Sequence, residues 1–365
     1  ANYTNSLFST PNFNSLLEAN DFRGYRMDAG AYLGDAKRVL AEAIVAVEGC
    51  DFCDSDNFTI CPSVSFALFA CLIALKQMGI ESIFLEAPGY YATVEQGHAL
   101  GLSIYLLPAS PQNGFRVTAE HVSRARNSVS GRCVLVVTQP RYGTGENRAV
   151  GEIGHLRSQM RSGDFILVDE AADQTVPAPM AQTPFDGDVQ LLRIRGLTKG
   201  LGLNSARMAT VIHPRELRGA FGDIVDYAGG NLDTASLMLM VRIASNPQFY
   251  IAQLQAAQEF VRNQRETFGK NLAGLPIRLS PIESGYFATA HIDTDVPPDA
   301  FQAWRQRFLE VCLKYRMPVV LGSSMYFPYD LTTEIVRINY FSEPKNLEKA
   351  AYVFSKVLAE VKRSP

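Results

Sequence analysis

Long apolar runs, basic clusters and paired metal-binding motifs are all missing from this 365-residue chain. Lysine and arginine number 34 against 37 aspartates and glutamates, a net charge of −3, and no Lys/Arg-rich run offsets that balance. This argues against nucleic acid or an anionic membrane as the main partner, since both are bound through a basic excess. The uncharged run 57–75 is interrupted by Pro62, Ser63 and Ser65, and its apolar part is too short to span a bilayer. It reads instead as a buried strand end feeding a buried helix. Residues 1–12 are polar and lack an apolar h-region, so no signal peptide is expected and the expected location is cytoplasmic.

The five histidines are scattered, without H-E-x-x-H or triad context, and read as structural. Residues 196–202 are no Walker A loop, because no Gly-Lys-Ser/Thr follows four spacers. Cys50 and Cys53 form a lone C-x-x-C with no second pair and no histidine at metal spacing, so no metal is expected. Cys71 and Cys133 sit inside apolar stretches, where a thiol behaves as a small hydrophobe. The cysteines therefore suggest a reducing compartment and no disulfide framework.

What is present is core material: 47% of residues are hydrophobic and 19% charged, enough to bury a full core. Short continuous apolar strands alternate with helical stripes. Helices are expected over 36–47, 64–78, 93–100 and 153–161; strands over 83–85, 103–107, 133–138, 165–168, 190–194 and 209–212. That alternation predicts an α/β fold whose large domain has a mostly parallel sheet covered by helices on both faces. A long helical stretch, 234–272, follows, with Asn246-Pro247 as its main breaker. The tail mixes strands (286–292, 335–340) with helices (298–315, 347–362), which predicts a smaller α+β domain. The expected division is a large domain over 30–240, a connecting helix over 241–269 and a small domain split between 1–29 and 270–365.

In parallel α/β sheets ligands bind beyond the carboxyl ends of the strands. Those ends deliver Pro88-Gly89-Tyr90-Tyr91, Gln139-Pro140-Arg141-Tyr142-Gly143-Thr144-Gly145, Asp169-Glu170 and Gly196-Leu197-Thr198-Lys199-Gly200. An aromatic, a glycine-containing turn, a carboxylate and a lysine thus converge on one rim. An aldehyde cofactor needs an amine to condense with, a pyridinium nitrogen needs an acidic partner, and its ring needs a flat face.

With those residues in view, the chain resembles the fold-type I pyridoxal-phosphate enzymes, in particular the class I/II aminotransferases, over most of its length. The resemblance implies an aspartate aminotransferase-like fold and pyridoxal 5'-phosphate as cofactor. Lys199 matches the Schiff-base lysine, and Arg207, eight residues later, the arginine that holds the cofactor phosphate. Asp169 matches the partner of the pyridine nitrogen, and Tyr90, in Pro88-Gly-Tyr90, the ring that stacks on the cofactor. Ser63, Val64 and Ser65 fit a helix start that cradles phosphate, with Thr198 beside the lysine. Arg337 looks like the arginine that forks the substrate α-carboxylate. Tyr32 is similar to the tyrosine that crosses to the neighbouring subunit's phosphate. The implied activity is amino-group transfer between an α-amino acid and a 2-oxo acid, by a homodimer. The alternatives are a lyase, cyclase, decarboxylase or oxidase with the same cofactor, or a non-catalytic sensor on this fold.

Four positions depart from the family pattern. The glycine usual at the helix start is absent, and the phosphate-binding serine three residues before the lysine is Gly196. The turn's asparagine is Tyr142, and the tyrosine three residues after the aspartate is Ala172. The last two fall around one atom, the cofactor's phenolic oxygen. Tyr142 is therefore expected to supply the missing hydroxyl from the opposite side, leaving the substrate carboxylate to Arg337.

Overall fold

A computed structural model describes residues 29–49, 53–109, 114–185, 187–203, 205–229, 232–326 and 333–362. The N-terminal share of the expected small domain, 1–28, lies outside the described residues, as does the side chain of Tyr32.

A seven-stranded sheet is built from β1 (Phe58–Cys61), β2 (Ile80–Ala87), β3 (Ser103–Pro108), β4 (Arg132–Thr138), β5 (Phe165–Glu170), β6 (Gln190–Gly196) and β7 (Ala209–Ile212). Their order across the sheet is β1-β7-β6-β5-β4-β2-β3. Strands β2 to β6 pair in parallel, and β7 runs antiparallel to both neighbours. The reversal follows from the connection: no helix intervenes between β6 and β7, and a strand returning without a crossover lies antiparallel.

One face of this sheet is covered by α1 (Ala29–Glu48) and α7 (Thr234–Ala244), the other by α2 (Val64–Gln77). Helix α2 is apolar almost all round because it is buried, and it starts where the Ser63 hydroxyl accepts the Phe66 N–H. On β5 the two-residue period sends Phe165 and Leu167 to the α2 face and Ile166 and Val168 to the α1 face. Its last two residues continue the alternation, so Asp169 and Glu170 serve opposite faces.

Helix α8 (Pro247–Asn271) begins at the expected breaker, with Asn246 accepting the Phe249 N–H at 3.1 Å and Pro247 in the first turn. Beyond it, β8 (Ile277–Leu279), β9 (Phe287–Asp293) and β10 (Thr333–Asn339) form an antiparallel sheet of order β10-β9-β8. That sheet shares a separate core with α9 (Phe301–Lys314) and α10 (Pro344–Lys362).

Two sequence expectations need correction. Cys53 is disulfide-bonded, whereas Cys61, Cys71, Cys133 and Cys312 are free and buried. The apolar contexts of the free thiols say nothing about a cysteine outside them, which is why that bridge was missed. The helix expected over 153–161 stops at Arg157, after which the bonds tighten to the i→i+3 kind, Gln159 N to the Leu156 carbonyl and Met160 N to the Arg157 carbonyl, before the chain turns into β5. The pattern also passes over α4 (Ala119–Asn127), whose apolar stripe is little more than Val122.

Candidate active site

The parallel strands end around a cavity bordered by Tyr90, Tyr142, Asp169, Lys199, Tyr286 and Arg337 among others. A second cavity adjoins it, sharing Val64, Tyr90 and Lys199 and adding Ser63, Ser65, Thr198 and Arg207. Every site residue expected from the sequence, Tyr32 aside, borders one of the two.

Strand β6 leads into the turn that carries Lys199. Here the chain passes close to β5: a Cβ on Gly196 would lie 2.1 Å from the Ala171 carbonyl oxygen, so this backbone leaves no space for serine. Thr198 ties the turn together. Its carbonyl accepts from Leu201 N and Leu203 N, and its hydroxyl accepts from Met208 N at 3.4 Å. The amine of Lys199 is held below the usual lysine range by burial first, with Arg207 adding to the effect and Asp169 opposing it. Burial also raises the Asp169 carboxyl, against the pull of Lys199 and of the Ala171 N–H, which donates to Oδ1 at 2.9 Å. A buried carboxylate with so little protein support favours a cationic or N–H partner.

Strand β4 ends in the turn 139–145. The Tyr142 N–H donates to Thr138 Oγ1 at 2.8 Å, and Thr289 on β9 donates its hydroxyl to the Gly143 carbonyl at 2.8 Å. Glycine is needed at 145, where φ is +72° and Ile282 packs where a Cβ would stand. Buried Arg148 braces the turn: its Nε donates to the Thr138 carbonyl at 2.9 Å, and its guanidinium pairs with Glu86 and Glu152. The Tyr142 ring lies 6.5 Å from that of Tyr90, inclined at 44°. Its hydroxyl is pushed up by burial and drawn back by the neighbouring Arg337.

At the end of β2, Tyr90 precedes α3 (Tyr91–Ala99), and its hydroxyl is 3.4 Å from Ser65 Oγ. Ser63 spends its oxygen lone pair on the α2 cap, so toward an anion it retains only its hydroxyl proton. Arg207 is exposed, and among the described residues no carboxylate pairs with it.

Arg337 enters from the other sheet. It sits mid-strand on β10, opposite Thr289 of β9, half-buried, with its guanidinium 4.5 Å from the Phe287 ring centroid. Among the described residues no carboxylate pairs with it. Tyr286 and Phe287 also border the cavity and are not among the residues expected there, while Arg141 is expected on the rim without a role. Tyr286 is buried, and Arg337, Asp169, Tyr90 and Tyr142 all act on its hydroxyl electrostatically. The available signal was an aromatic pair directly after Gly285, at the start of a strand.

The family model for aminotransferase class I and II matches residues 36–354. A histidinol-phosphate aminotransferase of Halobacterium salinarum is 27% identical over 156 residues, covering 40% of this chain and 41% of the relative. Histidinol-phosphate aminotransferase 1 of Legionella pneumophila is 25% identical over 182 residues, covering 49% and 48%. The chain thus matches less than half the length of these curated relatives. Among solved structures, aspartate aminotransferase from Thermus thermophilus with maleate superposes with a TM-score of 0.73 at 21% identity, covering 88% of this chain and 81% of that one. At that identity the likeness is one of fold.

Proposed function

The chain belongs to the class I and II aminotransferases, and from that premise we propose that it transfers an amino group between an α-amino acid and a 2-oxo acid, with Lys199 as the covalent anchor and base. The observation that carries this reading is the pairing, across one cavity, of an amine depressed by burial with a carboxyl raised by it. Pyridoxal phosphate suits these residues: among the described residues buried Asp169 lacks a strong partner, and the adjoining cavity ends on Arg207 with no carboxylate paired to it.

Bound there, the cofactor would supply an aldehyde and an electron-withdrawing ring that acidifies the substrate α-carbon. Every other task falls to side chains. Asp169 would keep a proton on the ring nitrogen, and Tyr90 would offer its ring as a flat face. Arg207, Ser65, Thr198 and the first N–H groups of α2 would meet the phosphate. Ser63 would join them through its hydroxyl proton, and Val64 would contribute backbone and bulk. Arg337, its plane set by Phe287, would fork the α-carboxylate. Lys199 would take the α-proton; a depressed pKa keeps it uncharged for that task.

Replacing Lys199 by Ala is expected to lower the transfer rate by on the order of 10⁴-fold or more and abolish the visible absorbance of the loaded protein. A variant that retained both would overturn the reading. The Tyr142 and Ala172 departures favour a second reading, a lyase or oxidase with the same cofactor. A single-turnover reaction separates the two: transfer leaves the cofactor aminated and releases a 2-oxo acid, whereas a lyase or oxidase restores the aldehyde. We further propose a homodimer in the cytoplasm, with residues 30–240 as the cofactor-binding unit, 241–269 as connector, and 1–29 with 270–365 as the smaller unit.

A further inference from the structure

We infer that Thr289 is a positioning residue: its hydroxyl, bonded to the Gly143 carbonyl, holds Tyr142 in line with Arg337 and so shapes the seat of the substrate carboxylate. The inference rests on the amino-transfer reading above and deepens it, since it concerns how that seat is kept in register.

The two halves of the seat come from different elements. Tyr142 lies in the turn after β4, and Arg337 lies mid-strand on β10; both border the cavity. Thr289 is where they meet. It stands opposite Arg337 in the β9–β10 pair, so the two side chains leave one face of the sheet side by side. Phe287, two residues earlier on that face, lies under the Arg337 guanidinium at 4.5 Å. The Thr289 hydroxyl donates to the Gly143 carbonyl at 2.8 Å, one residue after Tyr142. On the other side the Tyr142 N–H donates to Thr138 Oγ1, also at 2.8 Å. The backbone is thus held before and after Tyr142 by one hydroxyl each, and its ring hydroxyl is left beside Arg337.

The hydroxyl is aimed by its own surroundings. Thr289 is fully buried, and its branched side chain is stiff at χ1. A carbonyl can only accept, so the hydroxyl proton goes to Gly143 and only lone pairs face the other neighbours. Those are Ser280 Oγ at 2.7 Å and His291 Nε2 at 3.0 Å, themselves 3.0 Å apart. The Ser280 N–H also donates to the Thr289 carbonyl at 2.8 Å. Attachment of β9 to the large sheet does not depend on this hydroxyl. The Glu283 and Ser284 N–H groups donate to the Gly145 carbonyl at 2.8 and 3.2 Å, and Ser284 Oγ accepts the Gln174 N–H at 2.8 Å. Those bonds survive any change at 289. What the Thr289 hydroxyl adds is alignment.

The test uses the cofactor-loaded protein and the L-amino acid that wild type turns over fastest. Thr289→Val keeps the branched shape and deletes the hydroxyl. It should raise KM about fivefold and leave kcat within about twofold, because a carboxylate held equally in ground and transition states contributes to binding alone. Thr289→Ser, which keeps the hydroxyl, should bring KM back to within about twofold of wild type. In a Tyr142→Phe background Thr289→Val should add less than about twofold, since no ring hydroxyl remains to be aimed. Calorimetry with 3-phenylpropionate and with succinate reads the same seat without turnover. The tighter binder should weaken about fivefold in Thr289→Val and recover in Thr289→Ser. If the valine variant does not fold, Thr289→Ala takes its place with the same expectations. An unchanged KM and Kd, or a loss that serine does not restore, overturns the inference while leaving amino transfer intact. So does a fall in kcat alone, or the same loss with and without the Tyr142 hydroxyl. Failure of every amino acid to react overturns the amino-transfer reading instead, and calorimetry then decides the role of Thr289. Absence of binding by both carboxylates in wild type removes the seat, and the inference with it.

Discussion

Asp169 and Glu170 are neighbours on β5, yet the alternation of the strand places them in opposite electrostatic settings. On the α1 face Glu170 joins Glu48 and Asp173 around Arg193 and Arg195. Arg193 Nη2 reaches Glu48 and Glu170 at 2.8 Å each, and Arg195 reaches Glu48 at 2.8 Å and Asp173 at 3.1 Å. Each of these carboxylates meets at least one guanidinium. On the cavity side Asp169, Lys199, Arg207 and Arg337 form no such set. Charges buried for the fold are matched internally, because an unmatched one would cost several kcal/mol. The cavity's charges are left open, and an open charge at the end of a parallel strand calls for a ligand.

The comparison breaks most visibly at Arg193. Arg193→Leu strands Glu170 in the core and leaves Glu48 to Arg195 alone, and the expected loss is about 3–5 kcal/mol of unfolding free energy, read by urea titration. A loss below about 1 kcal/mol would mean that water reaches the network and that the two faces do not differ as described. Next comes proton linkage. Two guanidiniums face three carboxylates, and burial pushes Glu170 up to about 7. Between the ordinary carboxylate range, near pH 4.5, and pH 7 the unfolded chain has released a proton that the folded chain still holds. Stability owed to this group is therefore full below that window and falls as pH rises through it, by on the order of 3 kcal/mol. Glu170→Gln should remove that part of the slope when unfolding is compared at pH 5 and pH 8; identical profiles would refute it.

Third, Arg337→Leu should invert the pattern of Arg193→Leu. Stability should change by no more than about 1 kcal/mol, whereas kcat/KM should fall by about 10²-fold, because a substrate carboxylate loses its charged partner. A large stability loss with kcat/KM unchanged would assign Arg337 to the fold.

Which side of the comparison was legible in the sequence follows from chain distance. The open charges lie directly after apolar strand runs, so Asp169 and Lys199 announce themselves through their strands. Arg207 and Arg337 are recognised by motif. The matched network is different. Arg193 and Arg195 interrupt an apolar strand, and their main partner, Glu48, lies 145 residues away from Arg193 at the end of α1. Nothing local marks such a pair. Tyr286 illustrates the same limit, since a strand-start aromatic gains its place in the cavity only when β9 docks through Thr289 onto Gly143. The order of strands was readable only as an alternation; the reversal of β7 depends on a missing crossover helix that periodicity does not report.

The smallest expected effect falls on the boundary between the two settings. Tyr142 stands where the sequence reading expects asparagine, and its hydroxyl lies beside Arg337, raised by burial and held back by that guanidinium. Removing the oxygen in Tyr142→Phe deletes one hydrogen-bonding group next to a charge, worth about 1.5 kcal/mol, so KM for the amino donor should rise by about tenfold. Thr138 Oγ1 anchors this residue through its backbone N–H, which the substitution spares, and stability should stay within about 1 kcal/mol. If the hydroxyl also serves the cofactor's phenolic oxygen, in place of the tyrosine absent at Ala172, its loss withdraws a donor from that oxygen's ionised form. The pH at which the loaded protein changes its visible absorbance should then rise. A raised KM with an unmoved titration would confine the hydroxyl to Arg337, and Tyr142 would be a substrate-positioning residue. An unmoved KM with an unmoved titration would make it a wall, and the open charge at Arg337 would stand without help from its neighbour.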